Sequence, residues 1–352
     1  MLKTSWSAPS NIALVKYWGK HADQLPINSS ISMSLKNCFS TVSVSVEPIS
    51  ATGANRVFYF EGKISSPEFS KKFDQFLNKM ALQKMPWINH YNLLIESSNT
   101  FPHSTGIASS ASALAALALC ILDLDIQIKC SQNTSQEKYT QEFFQQASQM
   151  ARIGSGSACR SLYTSGMWGR HQDVRNSSDE WAINLETQTQ ILTQDWADAV
   201  LIVNSNEKKI SSSNGHNLMT DHALKTARIK IAQDNLTAVL QAVQQEDWSA
   251  FGKILESEAM WLHALMMTSS TPYMLMEGAT IELLKRLMAW RDKHNILAYF
   301  TLDAGPNIHL IYHKKFRSEV CQWIETQALD LLSEKRWIDD QFGGVPVKNN
   351  DV

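Results

Sequence analysis

Two stretches of this 352-residue sequence crowd small residues and hydroxyls where an anion could be held. The first, Pro102-His103-Ser104-Thr105-Gly106-Ile107-Ala108-Ser109-Ser110-Ala111-Ser112, runs straight into an apolar helical segment, Ala113 to Leu122. The opening N–H groups of a helix lack intrahelical partners and its dipole places partial positive charge there, so a polyphosphate can approach where no bulky side chain intervenes. Ser109, Ser110 and Ser112 add hydroxyls for phosphate oxygens or a magnesium ion; the same serines would equally cap a core helix. The second stretch, Gly154-Ser155-Gly156-Ser157-Ala158-Cys159-Arg160-Ser161, follows a helix and has Cys159 where a dinucleotide fingerprint needs glycine, so it is no Rossmann turn. It reads as a flexible turn presenting Ser155, Ser157 and Arg160. The forked guanidinium suits a carboxylate or phosphate, and a structural ion pair is its plainer use.

Two single charges stand out against apolar surroundings. Asn11-Ile12-Ala13-Leu14-Val15-Lys16-Tyr17-Trp18-Gly19-Lys20 embeds two lysines, and on a strand Lys16, Trp18 and Lys20 would share one face. An embedded lysine must pair or snorkel; an anionic ligand or buried carboxylate would satisfy it, and a solvated lysine on an edge strand is the bland alternative. Thr301-Leu302-Asp303-Ala304-Gly305-Pro306-Asn307 sets one carboxylate between an apolar strand and a tight turn. Taken alone, Asp303 reads as a turn-bonding residue. Were it to meet Lys16 in a cleft, the lysine would keep it ionised and able to orient or deprotonate a substrate hydroxyl.

Composition narrows the function classes. Thirty-four acidic against 32 basic side chains leave a net charge of −2, with no electrostatic footprint for nucleic acid or an anionic membrane. The apolar run Ala111 to Leu122 stops at Asp123, short of a membrane span, and the N-terminus has no secretory h-region, so a cytoplasmic protein is expected. Five cysteines without a C-x-x-C pair suggest buried thiols. The Gly-Lys pairs at 19–20 and 252–253 lack the rest of a Walker loop. His216 with His222, and His309 with His313, lack a zinc-site context and read as ordinary polar positions.

The elements that must carry these residues are mixed. Val42, Val44 and Val46 alternate with Thr41, Ser43 and Ser45 as a strand, with further strands at 56–60, 91–97, 199–203, 298–302 and 308–312. Helical spacing recurs at Phe69, Phe73, Phe76, Leu77 and Met80 after Ser66-Pro67, and at 107–122, 136–153, 217–241, 246–266, 279–294 and 315–333. Strands followed by blocks of helices suggest α+β lobes, divided near residue 180 into 1–180 and 181–352.

In this order, A-P-S-N-I-A-L-V-K-Y-W-G-K, Pro102 to Ser112, G-S-G-S-A-C-R-S, Ser211 to Gly215 and D-A-G-P-N resemble the mevalonate diphosphate decarboxylases of the GHMP kinase superfamily, over about residues 5 to 315. The resemblance implies a two-lobed GHMP kinase fold, with a ribosomal protein S5 domain 2-like N-terminal lobe, an α/β sandwich C-terminal lobe and the active site between them. It implies ATP-dependent 3-phosphorylation of mevalonate 5-diphosphate, then loss of phosphate and carbon dioxide to give isopentenyl diphosphate, in a homodimer that uses Mg²⁺. By motif, Asp303 acts on the C3 hydroxyl as base or orienting group with Lys16 beside it, and Arg160 binds the substrate carboxylate. Ser155, Gly156 and Ser157 fix the substrate; Tyr17, Trp18, Gly19 and Lys20 take its diphosphate; Ser212 and Ser213 form a later substrate loop. ATP falls to Asn11, Ser104, Gly106, Ser109, Ser110 and Ser112, with Mg²⁺ near Ser109 or Ser110. The sequence departs from the family at Thr105, where Ala is common, and at Ser213, where Arg or Thr is usual. An arginine expected near 60–80 has no counterpart beyond Lys63, Lys71 and Lys72.

Overall fold

Alternation in the first fifty residues becomes two long antiparallel strands, β1 (Leu2–Val15) and β4 (Ser30–Pro48), joined through a small hairpin of β2 (Lys20–His21) and β3 (Leu25–Pro26). This computed structural model describes every residue except 23, 50–54, 103–106, 108, 130–138, 207–211 and 351–352, and the side chains of 68, 69, 212 and 213. The valines of 42–46 are the buried middle of β4, opposite Trp6, Thr4 and Leu2. The sheet continues through β5 (Arg56–Phe60), β6 (Lys63–Ile64), and, beyond helix α1 (Pro67–Gln83), β7 (Tyr91–Asn99), with β7 between β4 and β5.

Helices α2 (Ser109–Lys129) and α3 (Gln141–Gly154) cover one face of this sheet. Leu114, Leu117 and Ile121 of α2 are wholly buried against Trp6, Val42 and Val44 of the sheet and Met150 of α3. By length and composition α2 is the one described helix that could cross a membrane, yet 83% of its most apolar window is buried inside protein. It is also two turns longer than the apolar run, because Asp123 is satisfied by Thr4 (2.5 Å) and Lys348 (2.8 Å). After α3, residues Gly156–Leu162 form a buried 3₁₀ helix where a flexible turn is expected. Strands β8 (Ser165–Trp168) and β9 (Ile183–Asn184) then extend the sheet from the first half of β4.

The second half builds a four-stranded antiparallel sheet, ordered β11-β12-β10-β13, from β10 (Trp196–Leu201), β11 (Ala298–Leu302), β12 (Ile308–His313) and β13 (Trp337–Gln341). Its helices are α4 (Glu186–Asp195), α5 (Ser212–Asn217), α6 (Lys225–Gln244), α7 (Trp248–Met267), α8 (Gly278–His294) and α9 (Arg317–Trp323). The expected helix 217–241 is thus split by a turn before Lys225. The expected helix 315–333 survives as α9, which runs into a π turn (Ile324–Ala328) and a 3₁₀ turn (Leu329–Leu331). Thr280 and Glu277 make a reciprocal capping box at the start of α8.

The two sheets share apolar packing: Ile12, Leu14, Met33 and Leu35 lie in one buried cluster with Trp196, Val200, Leu236, Phe251 and Ile311. Both ends of 181–352 are stitched into the first sheet, β9 at one end and β14 (Val347–Lys348) at the other, where Lys348 and Val347 pair with Trp6 and Ser7.

Candidate active site

Lys16 is the first residue after β1, and the chain does not continue as a strand: residues 16–19 are irregular and Gly19 turns at φ +96°, a backbone conformation that suits glycine. A Cβ there would sit 2.3 Å from Ile27 Cδ1. The expected shared face of Lys16, Trp18 and Lys20 is therefore not formed. Lys16 turns inward, 2% exposed, while Lys20 donates to Gln24 Oε1 at 2.8 Å on the hairpin.

The turn between β11 and β12 brings Asp303 to Lys16, with Nζ donating to Oδ1 at 2.9 Å. The two positions are 287 residues apart, one from each half of the chain. Burial pulls the Lys16 ammonium below its ordinary range; the Asp303 carboxylate and then Glu258 oppose that pull, and Arg160 adds to it. His263 of α7 holds the same turn through Nε2 and the Asp303 carbonyl oxygen at 3.2 Å.

Arg160 lies on the 3₁₀ helix, 3% exposed, and donates through one terminal nitrogen to the Ser30 hydroxyl. Its Nε is buried with no partner among the described residues. The Tyr17 hydroxyl is likewise buried and unpartnered, its ring 4.7 Å from Trp168 and 4.4 Å from His216. Burial lowers the guanidinium's affinity for its proton and raises that of the phenol. Buried donors are nearly always satisfied, so two orphans beside a Lys–Asp pair mark where a polar ligand belongs. Close packing holds both in place. A Cβ on Gly156 would lie 3.0 Å from the Tyr17 hydroxyl, and one on Gly166 would lie 2.6 Å from the Arg160 carbonyl oxygen. Cys159 beside them is inert, its thiol pushed up to about 12 chiefly by burial.

His216, an ordinary polar position by sequence, belongs to the site. Its Nδ1 accepts the Gly19 N–H at 2.9 Å and its ring packs against Tyr17 and Trp18. Accepting at Nδ1 places the proton on Nε2. Burial, then the charges of Lys20 and Arg160, holds the ring's pKa down to about 3, so it is neutral. His216 lies in the last turn of α5, the helix that begins at Ser212.

At the start of α2, Ser109 and Ser110 are half-buried, and Ser110 Oγ accepts from Lys72 Nζ of α1 at 3.1 Å. Lys72 is thus a cation at this helix start, which its position in an amphipathic helix did not disclose. Ser112 faces the other way: it is fully buried, and its hydroxyl meets Ser40 Oγ (2.7 Å) and the Ser109 carbonyl oxygen (3.2 Å), so it braces the helix on β4. Asn11 also bonds within the fold. Its amide nitrogen reaches Ser161 Oγ at 2.8 Å and supports the 3₁₀ helix that carries Arg160. Ser155 stands at the N-cap position of that helix without a side-chain capping bond, with Gly156 buried and Ser157 half-buried behind it. Ser104, Thr105 and Gly106 lie outside the described residues, as do the side chains of Ser212 and Ser213. No cluster of His, Cys, Asp and Glu able to hold a metal occurs among the described residues. A separate groove of about 670 Å³ between α4 and α6 shares none of these groups.

Family models bear on both halves of the chain. Residues 8–182 match the diphosphomevalonate decarboxylase-like N-terminal domain, and 199–342 match the mevalonate 5-diphosphate decarboxylase C-terminal domain. The diphosphomevalonate decarboxylase of Debaryomyces hansenii is 27% identical, covering 97% of this chain and 91% of its own length. The solved mevalonate diphosphate decarboxylase of Staphylococcus aureus superposes with a TM-score of 0.82 at 25% identity, over 99% of this chain and 98% of that one. A solved complex described as MDDEF with MVAPP, AMPPCP and magnesium gives the same TM-score and identity, covering 99% of each chain. The two-lobed GHMP kinase architecture expected from the sequence is therefore present, and the chain belongs to the diphosphomevalonate decarboxylase family.

Proposed function

We propose that this protein carries out the ATP-dependent decarboxylation of mevalonate 5-diphosphate to isopentenyl diphosphate, releasing ADP, phosphate and carbon dioxide. The observation that carries the reading is the buried Lys16–Asp303 pair beside the unpartnered Nε of Arg160. A tertiary hydroxyl is a poor leaving group. Asp303, kept ionised by Lys16, holds the C3 hydroxyl or takes its proton as the γ-phosphoryl group is transferred to that oxygen. The carboxylate C–C bond then breaks, its electron pair forms the new double bond, and the C3–O bond breaks to release phosphate. Arg160 holds the carboxylate in place, with Ser155, Gly156 and Ser157 alongside. Tyr17, Trp18, Gly19 and Lys20 take the diphosphate, and Ser212 and Ser213 form a later substrate loop.

The nucleotide belongs at the start of α2, along Ser104 to Ser112, with Lys72 adjacent. The lack of a carboxylate cage among the described residues fits a magnesium ion held by phosphate oxygens and one serine hydroxyl, Ser109 or Ser110. Magnesium, when bound there, offsets polyphosphate charge. We further read the protein as a cytoplasmic homodimer, divided near residue 180 into two lobes, with neither nucleic acid nor membrane as partner; the net charge of −2 supports the last point.

The test measures ADP and carbon dioxide from purified protein with Mg-ATP and either mevalonate 5-diphosphate, mevalonate 5-phosphate or mevalonate. One ADP and one carbon dioxide per diphosphate, with little from the other two, is the expected result. Preference for the monophosphate, or ADP without carbon dioxide, would overturn it. Sedimentation reports the dimer.

A further inference from the structure

Lys16 sits at the end of a strand of the first sheet, yet its main chain is held almost wholly by the second half of the molecule. Its N–H donates to Glu258 Oε2 of α7 at 2.7 Å. Its carbonyl oxygen accepts from an Arg228 terminal nitrogen of α6 at 2.7 Å and from Asn28 Nδ2 at 3.0 Å. Arg228 and Glu258 form a two-armed ion pair at 2.7 Å through both guanidinium arms, and both side chains are fully buried. Asn235 Nδ2 donates to the remaining Glu258 oxygen at 2.7 Å.

We propose that Arg228 and Glu258 are positioning residues for the reaction: a buried ion pair that grips both polar atoms of the Lys16 backbone and thereby aims its ammonium at Asp303. The inference rests on the decarboxylation reading above. A buried ion pair is poor evidence for stability, since apolar residues of similar volume often serve as well or better, so its presence needs another reason. Here that reason is geometric. Lys16 has four rotatable side-chain torsions between its Cα and its charge, and an ammonium so far from its anchor is aimed only if the anchor is fixed. A misplacement of about 1 Å can cost on the order of 10²-fold in rate. Glu258 also adds negative charge near Lys16, supporting the protonated form against burial. The charged and titratable groups around Lys16 are Asp303 of the β11–β12 turn, Glu258 and His263 of α7, Arg228 of α6, Arg160 of the 3₁₀ helix and the Tyr17 phenol.

Two paired variants separate aim from charge. Arg228→Met with Glu258→Gln removes the ion pair but keeps an acceptor for the Lys16 N–H; Arg228→Met with Glu258→Leu removes the acceptor as well. Asn235→Ala weakens the pair's support and leaves both charges, and it serves if either double variant does not fold. The readouts are kcat and KM against pH for the wild type and folded variants, and a ¹³Cε-lysine NMR titration of the substrate-free proteins, with Lys16 assigned through Lys16→Arg. For the first variant we expect kcat to fall a few-fold, KM for the diphosphate to change less than twofold, and the Lys16 inflection to move down as the negative charge of Glu258 is lost. The second should lose roughly a further 10-fold in kcat at constant KM. Asn235→Ala should lower kcat in the same sense, more weakly, with the Lys16 inflection unmoved because both charges remain. Folded variants with wild-type kcat and an unmoved inflection would overturn the proposal. So would losses of kcat and KM that simply follow thermal stability. A wild type with no turnover, but a Lys16 inflection that moves with Glu258, would sink the decarboxylation reading and leave the positioning of Lys16 standing.

Discussion

Asp303→Asn separates chemistry from structure at the Lys16 pair. Asparagine keeps an oxygen within reach of the Lys16 Nζ, 2.9 Å from Oδ1 in the native side chain, but cannot accept the substrate proton or balance the buried charge. Loss of a general base or charged orienting group should lower turnover by at least about 10²-fold, equivalent to about 2.7 kcal/mol of transition-state stabilisation, with diphosphate binding retained. The structural cost has a ceiling. Lys16 is 2% exposed, and without Asp303 it can release its proton instead of remaining an unpaired buried charge. Neutralising a lysine at pH 7.5 costs at most about 1.4 kcal/mol for each unit below an unfolded pKa of about 10.4, hence about 4 kcal/mol. With neutral Lys16 in the native variant, the unfolded chain binds the extra proton, so the variant's stability rises with pH across that window. The deficit against wild type should therefore shrink by up to about 1.4 kcal/mol per pH unit above pH 7.5, while the turnover deficit does not recover. Urea unfolding between pH 7 and 9.5, beside single-turnover rates, reads both. A deficit independent of pH would refute the account of Lys16, and turnover within threefold of wild type would remove Asp303 from the chemistry.

Other perturbations probe the frame around that pair. Gly166→Ala puts a Cβ 2.6 Å from the Arg160 carbonyl oxygen and 2.7 Å from Arg160 Cβ; it should cost about 1–3 kcal/mol and lower kcat/KM by roughly 10²-fold, and unchanged kinetics would show that Arg160 need not be held there. His216 binds no proton in the native state until about pH 3, whereas the unfolded side chain does so near 6.5, so stability should fall as pH drops between those values. His216→Asn, which keeps an acceptor for Gly19, should flatten that slope by about one proton, and an unaltered slope would mean the ring is not held neutral. Lys348→Met removes the Lys348–Asp123 pair at a fully buried carboxylate, and should destabilise by about 3–5 kcal/mol in urea unfolding; a loss below about 1 kcal/mol would contradict the ion pair.

What the sequence disclosed follows the range of the physics involved. Alternation at 41–46 and the Ala-Gly-Pro turn after Asp303 are local, and both stand in the structure. The meeting of Lys16 and Asp303 could be posed only as a condition, because 287 residues separate them. Residues 154–161 read as a loose turn since glycine and serine favour one; 156–162 instead form a buried 3₁₀ helix because Leu162, Ala158 and Cys159 find apolar partners that local propensity does not encode. Ser112 reads like Ser109 and Ser110, yet three positions turn it onto β4. Arg228 and Glu258 lie in ordinary amphipathic helices, where a charge usually means a solvated face. Only the closing of α6 and α7 around Lys16 shows otherwise.

The last strand of the first sheet has a consequence for how the protein is made. β14 flanks β1, so the outer row of N–H and C=O groups at Trp6 and Ser7 waits for residues 347 and 348 to leave the ribosome. Through translation the nascent chain carries an unfinished β-edge, the kind of template on which strands of neighbouring molecules pair. Asp123 waits as well, buried by α2 long before Lys348 can reach it. A chain cut a few residues early keeps every group of the active site and still ends with an open edge and without the Lys348–Asp123 pair. Its failure would be seen first as aggregation during synthesis, before any assay of turnover could be made.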